Sequence, residues 1–310
     1  MSKINAMMPL KISGSYGVDD LRRSEILLQS LNLHMAKNTI SRFDIVAPRN
    51  ELDQLKPFVA KYEKICNFGL IAEDDLIPEL ADKRLSVRGW RKQMMLKLAY
   101  AESTNANFSL VFDADVVSKK NFGISNLLAG GKGSIQLQQI LAIPNIPEWY
   151  MCSMSILGYE KALMGQGMSV TPAILSREIC RSLAEYMLKR HRTAWWRYLI
   201  RLDTSLRRNL WPLRGRRDWS EYSLYFLHAE QAGLLWTHHE RAGSAALPFT
   251  LFSDHSVWYE REESLWDDLA CFSPNDPGIF FVYQSSTGRD AAAVWSRIGR
   301  HLQPVPVGAT

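Results

Sequence analysis

The sequence predicts an α/β fold, with a mostly parallel central sheet and helices on both faces. Three observations carry this. Through residue 122, segments of strand-like composition alternate with segments whose apolar residues recur at helical spacing. Such alternation builds parallel sheets, because each crossover lays a helix on a sheet face. Phe108-Ser109-Leu110-Val111-Phe112 is almost wholly apolar and bounded by polar residues, as a strand covered on both faces requires.

Taken in order, the first strand is expected over residues 8–13 and a helix over 21–33, with Leu21, Leu28 and Leu31 on its apolar side. A second strand, 42–47, stops at Pro48. A helix over 52–62 and a short strand within 64–71 complete the next unit. Residues 85–101 read as a helix, apolar at Trp90, Met94, Leu98 and Ala101, and 108–112 as the fourth strand. After Phe122 the pattern changes. Gly130, Gly131 and Gly133 mark a loop, 134–143 and 149–157 read as antiparallel strands, and 172–189 and 219–231 as helices. A late strand over 280–284 and a closing helix over 290–301 end the pattern. The expected organisation is a β/α half, residues 1–122, and a second half, residues 123–310, with a basic aromatic helical insertion at 189–217, packed as one continuous domain.

At 310 residues, 46% hydrophobic and 22% charged, the composition is that of a globular protein rather than a disordered or fibrous one. The four cysteines are scattered, with no metal-knuckle or redox-pair spacing, which fits a reducing compartment. The first eleven residues hold no long apolar run, and no stretch nears the roughly 20 apolar residues of a membrane span. A cytoplasmic protein is therefore expected. Residues 189–217 hold ten Lys/Arg and one acid, Asp203, a local charge of +9 in a chain of +5, which leaves −4 elsewhere. Trp195, Trp196 and Trp211 are interleaved with those arginines. A basic, tryptophan-bearing segment of this kind suits an anionic membrane surface, here the inner face of the cytoplasmic membrane. Nucleic acid is the competing anion, but no RNA- or DNA-binding motif accompanies the segment.

Asp113-Ala114-Asp115 follows the fourth predicted strand. In α/β sheets ligands bind beyond the carboxyl ends of the strands. Two carboxylates one residue apart at that end can hold a hard divalent cation together with substrate phosphates. A haloacid-dehalogenase-type phosphatase also uses a strand followed by Asp-x-Asp, with Asp113 as nucleophile and Asp115 as acid/base. That motif normally ends the first strand of its domain, whereas three β/α units precede it here.

FSLVFDADVV resembles the metal-binding strand of GT-A glycosyltransferases. GWRKQMMLKLAYAES, DWSEYSLYFLHAE and FFVYQSSTG resemble segments of a bacterial group of such enzymes tied to surface polysaccharide assembly. The resemblance implies a GT-A-like fold and Mn²⁺ or Mg²⁺ on Asp113 and Asp115. It also implies a nucleoside-diphosphate sugar donor, UDP-sugar favoured, and a saccharide or lipid-linked acceptor. Asp19 would meet the nucleoside, and Arg88, Gln93 and Lys97 the diphosphate or donor sugar. His255 would be the third metal ligand, with His238-His239 as the alternative. Glu221, aided by Asp218, would be the base of an inverting transfer. The same spacing also reads as a helix cap, Asp218 capping and Glu221 its capping-box partner.

Overall fold

The computed structural model describes residues 3–13, 17–82, 84–85, 87–160, 165–203 and 218–302. Its central sheet contains β1 (Ile4–Pro9), β2 (Phe43–Ala47), β3 (Phe68–Ala72), β4 (Phe108–Val111) and, from the second half of the chain, Ala173–Ser176. The order is β3-β2-β1-β4 followed by Ala173–Ser176 at the edge. The first four strands are parallel, with Met8 opposite Ile45 and Ala6 opposite Leu110, and the edge strand runs antiparallel to β4. The fold is thus α/β with a mostly parallel central sheet, as expected.

Period-two alternation sends each strand's side chains to two cores. Ile4, Ala6, Met8, Phe43, Ile45, Phe108 and Leu110 pack beneath α1 (Gly17–His34) and α2 (Leu52–Ala60). Met7, Val46 and Val111 face the other core, with α3 (Gly89–Ser103) and α4 (Ile146–Leu157). The edge strand, β7 (Ala173–Ser176), lends Leu175 to this second core, which also includes α5 (Arg177–His191) and α7 (Glu221–Gln231). Burying one Leu or Ile side chain contributes about 1.5–3 kcal/mol, so Leu27, Leu28 and Leu31 hold α1 firmly to the sheet.

Between these elements, β5 is Val116–Ser118, β6 Lys132–Ile135, β8 His239–Arg241, β9 Thr250–Phe252 and β10 Gly278–Val282. β10 runs parallel to β9 and antiparallel to β5, with Val282 opposite Val116. Gly278 permits that approach, since a Cβ there would lie 2.6 Å from the Ser253 backbone nitrogen. The last helix, α8 (Ala291–Ile298), starts at Asp290, whose side chain accepts from the Ala293 N–H.

Four expected elements differ. Residues 134–143 are not one strand: they hold the end of Lys132–Ile135, a two-residue strand Gln138–Gln139 and a 3-10 turn Ile140–Ala142. The first strand lies at 4–9 rather than 8–13, because the apolar run Ile4–Met8 is its body. Residues 149–157 are helical: Pro147 sits in the first turn and Gly158 ends the helix at φ 61°. Residues 173–176 form the edge strand, and the helix starts only at Arg177.

The basic segment is packed where it is described. α6 (Trp195–Asp203) buries Trp195, Leu199 and Ile200. Trp195 donates to Glu102 at 2.8 Å, so it is a core residue and not a headgroup anchor. Arg197 pairs with Glu79. Trp211 and Arg207, Arg208, Arg214, Arg216 and Arg217 lie outside the described residues. Among the described residues no helix is long and apolar enough to cross a membrane.

Candidate active site

The chain builds outward from β1 to β3 and then returns to place β4 on the other side of β1. The β1/β4 crevice is therefore the topological switch point, where open α/β sheets bind ligands. Asp113 and Asp115 lie just past the carboxyl end of β4. The antiparallel pairing of β10 with β5 sets the chain leaving β10 down on Asp115. The Tyr283 N–H donates to the Asp115 carbonyl at 3.0 Å, and the Ser285 N–H to Asp115 Oδ2 at 3.1 Å. Gln284, between these two anchors, lines the same cleft.

That returning segment is held from α1. Buried Arg23 donates to the Tyr283 carbonyl at 2.9 Å, to the Arg289 carbonyl, and to Asp19 Oδ2 at 2.7 Å. Asp19 Oδ1 accepts from the Ala291 N–H at 2.6 Å. Both Asp19 oxygens are thus used, Oδ1 to staple α1 to the start of α8 and Oδ2 to hold Arg23 on α1, and Asp19 does not line the cleft. Its neighbour Asp20 is the acid that feels the cleft. Burial pushes Asp20 up to about 6, against the pull of Arg23, with Asp19 and Asp113 adding to the rise.

The opposite wall comes from α3 and α7. Gln93 and Lys97, one turn apart, both line the cleft, as their shared face predicted. Lys97 Nζ lies 2.9 Å from Thr171 Oγ1, 3.0 Å from Glu221 Oε1 and 2.8 Å from Asp113 Oδ1. Burial works against its charge, but Asp113, Tyr222 and Glu221 hold the ammonium well above the ordinary lysine range. Glu221 is buried, and burial pushes its carboxyl up while Lys97 pulls it down. Its helix is capped differently from expectation. Ser220 Oγ accepts from the Ser223 N–H at 3.2 Å and Ser223 Oγ accepts from the Ser220 N–H at 3.1 Å. The serine pair closes the capping box and leaves the Glu221 carboxylate to the cleft.

Lys97 is the one cationic side chain lining the cleft among the described residues, facing Asp113, Asp115 and Glu221. Burial, reinforced by Asp113, pushes the partly buried Asp115 up to about 7. Lys97 Nζ pairs with Asp113 Oδ1, the buried oxygen of that carboxylate. That oxygen is buried against the ammonium, while the Asp113 side chain as a whole stays 35% exposed. Two carboxylates one residue apart, in a cleft with three carboxylates and one cation, fit a hard divalent cation. Gln284 lines the same cleft, its amide oxygen accepting from the Ser286 hydroxyl at 2.9 Å.

The structure therefore brings Gln93, Lys97, Asp113, Asp115 and Glu221 together in a cleft of about 100 Å³. It leaves out the other expected residues. Arg88 binds Asp203 at 2.7 and 2.9 Å, and Asp218 binds Arg91; neither lines the cleft. His255 faces Asp276 at 3.9 Å and is not turned to the aspartates. His239 is buried between Tyr225 and the Gly133 carbonyl, and His238 meets Ser176. Among the described residues no three His, Cys, Asp or Glu side chains form a metal-holding group. The sequence reading missed Trp90, Trp149, Gln284 and Asp20. Trp90 was within its reach, because residues 90, 93 and 97 follow the three-and-four spacing of one helix face.

Among curated proteins none matches the sequence significantly. The crystal structure of apo mouse xyloside xylosyltransferase 1 is similar at TM-score 0.49 and 10% identity, over 92% of this chain and 99% of that one. S. aureus TarS, residues 1–349, is similar at TM-score 0.24 and 17% identity, over 37% of this chain and 28% of that one. Likenesses at this level say nothing of reaction or substrate. The profile described as "Family of unknown function (DUF6492)" matches residues 1–305, and the chain belongs to that family.

Proposed function

We propose that this protein is a GT-A type, metal-dependent glycosyltransferase. It moves a sugar from a nucleoside-diphosphate sugar, UDP-sugar favoured, to a saccharide or lipid-linked acceptor in bacterial surface polysaccharide synthesis. The observation that carries this reading is the meeting, at the β1/β4 switch point, of Asp113 and Asp115 with the buried Lys97–Glu221 pair. Asp113 and Asp115 would hold Mn²⁺ or Mg²⁺, with the Gln284 amide as a third oxygen ligand. Bound there, the cation supplies neutralisation of the diphosphate leaving group. Lys97 then serves less as a hydrogen-bond donor to phosphate than as a fixed counter-charge that orients Asp113 and Glu221.

Glu221 is the base in this reading. Lys97 occupies Oε1, and Oε2 is the oxygen for the acceptor hydroxyl. Burial lifts the carboxyl toward the working pH, which favours proton abstraction. In this reading the transfer inverts, with Glu221 on α7 as the base and the aspartates beyond β4 on the leaving group.

A melting screen of UDP, GDP, CDP and ADP, each with Mn²⁺ or with chelator, tests the proposal. One nucleotide should raise the melting temperature only with metal. At a ligand concentration a hundred times Kd the stabilisation is about 2.7 kcal/mol. Asp115→Ala should abolish that shift. Equal shifts with metal and with chelator, or none at all, would sink it.

A further inference from the structure

We infer that Trp90 and Trp149 form the acceptor-saccharide subsite of the cleft, positioned by Arg91 and Asp218; this rests on the glycosyl-transfer reading above. Trp90 is 42% exposed although the helix it opens is buried from Met94 to Ala101. It lines the cleft with Trp149, the ring centroids 5.7 Å apart and the planes tilted by 50°, which makes an open aromatic corner. An indole left in water at the rim of a concave site is a surface that a ligand's apolar face can cover.

The corner is braced from behind. Arg91 is 1% exposed, and its guanidinium carbon lies 4.8 Å from the Trp90 ring and 5.1 Å from the Trp219 ring. A cation between two indoles fixes the tilt of both. The Asp218 carboxylate and the Trp219 carbonyl hold that guanidinium in turn. Asp218 is thus two contacts from the cleft and acts on it through Arg91, as a positioning residue.

The distance selects the occupant. An α-helix rises 1.5 Å per residue, so Trp90 stands about 10 Å along α3 from Lys97, which touches Asp113. A sugar linked to a diphosphate at the aspartates occupies the near end. The aromatic corner is left for the apolar face of an acceptor ring.

The test titrates tryptophan emission of the full chain with methyl β-glycosides of glucose, galactose, xylose and N-acetylglucosamine, with and without UDP and Mn²⁺. At least one glycoside should change the emission of the wild type. Trp90→Ala and Trp149→Ala should each raise its Kd about tenfold and leave the metal-dependent nucleotide melting shift unchanged. Asp218→Asn should raise the acceptor KM severalfold at constant kcat, and Asp218→Glu should restore part of the loss. A wild type that shifts with nucleotide but answers none of the glycosides overturns the inference. So does Trp90→Ala binding glycoside like the wild type, or losing the nucleotide shift instead, which would make the corner a nucleobase platform. A wild type with no nucleotide shift strikes at the glycosyl-transfer reading itself.

Discussion

Lys97 Nζ lies 3.0 Å from Glu221 Oε1, and both side chains are almost wholly buried. Removing one member of a buried ion pair strands the other charge and costs about 3–5 kcal/mol. Lys97→Met should therefore destabilise the protein strongly in urea denaturation. Combining it with Glu221→Gln should cost less than the sum of the two single changes. Additive losses would show that the pair is not coupled.

Gln284 and His255 make opposite predictions for metal binding. Gln284→Ala should weaken Mn²⁺ binding in the presence of nucleotide about tenfold, the scale seen when a metal site's supporting groups are lost. His255→Ala should leave it unchanged, because that imidazole faces Asp276. Electron paramagnetic resonance of free Mn²⁺ reads both without turnover.

Arg23→Met removes the donor to the Tyr283 and Arg289 carbonyls and the cation beside Asp19. Each buried acceptor left without a donor costs about 1–3 kcal/mol. Residues 283–291 should lose amide-exchange protection in this variant while β1 to β4 keep theirs. Uniform loss across the sheet would contradict the assignment of Arg23 to the returning segment.

Acid should unfold the protein through two histidines. Burial pushes His228 and His239 down to about 4, from an ordinary value of 6.5. The unfolded chain takes up protons first, so stability is full above 6.5 and is lost as pH falls toward 4. Between pH 7 and pH 5 each histidine should cost about 2 kcal/mol. His239 accepts from the Tyr225 hydroxyl at 2.6 Å and donates to the Gly133 carbonyl at 3.0 Å, which requires the neutral ring. Denaturation midpoints at the two pH values check the slope, and His239→Gln should flatten it.

Much of this was legible in the sequence. The parallel units of the first half were visible because strand and helix periods differ. Gln93, Lys97, Asp113, Asp115 and Glu221 do share one cleft. What was hidden follows from long-range packing. Residues 149–157 are a short apolar run, and such runs fit a strand or a buried helix equally well. Asp19 and Asp20 are adjacent, and only the course of α8 decides that the first is consumed by Ala291. Asp218 and Glu221 stand three apart, a spacing that suits a capping box, but Ser220 and Ser223 form that box. Gln284 meets the aspartates only through the pairing of β10 with β5, which no local pattern announces.

That pairing also sets an order in time. Ser285, whose N–H holds Asp115, is separated from it by 170 residues. At about 5–20 residues per second of synthesis, on the order of ten to thirty seconds pass between their emergence. Through that interval the parallel strands can assemble on a nascent chain while β5 has no partner and Asp115 lacks both backbone donors. Catalytic competence, on this geometry, arrives late and all at once with residues 278–289, and the unpaired β5 edge is the surface a chaperone would have to shield until then.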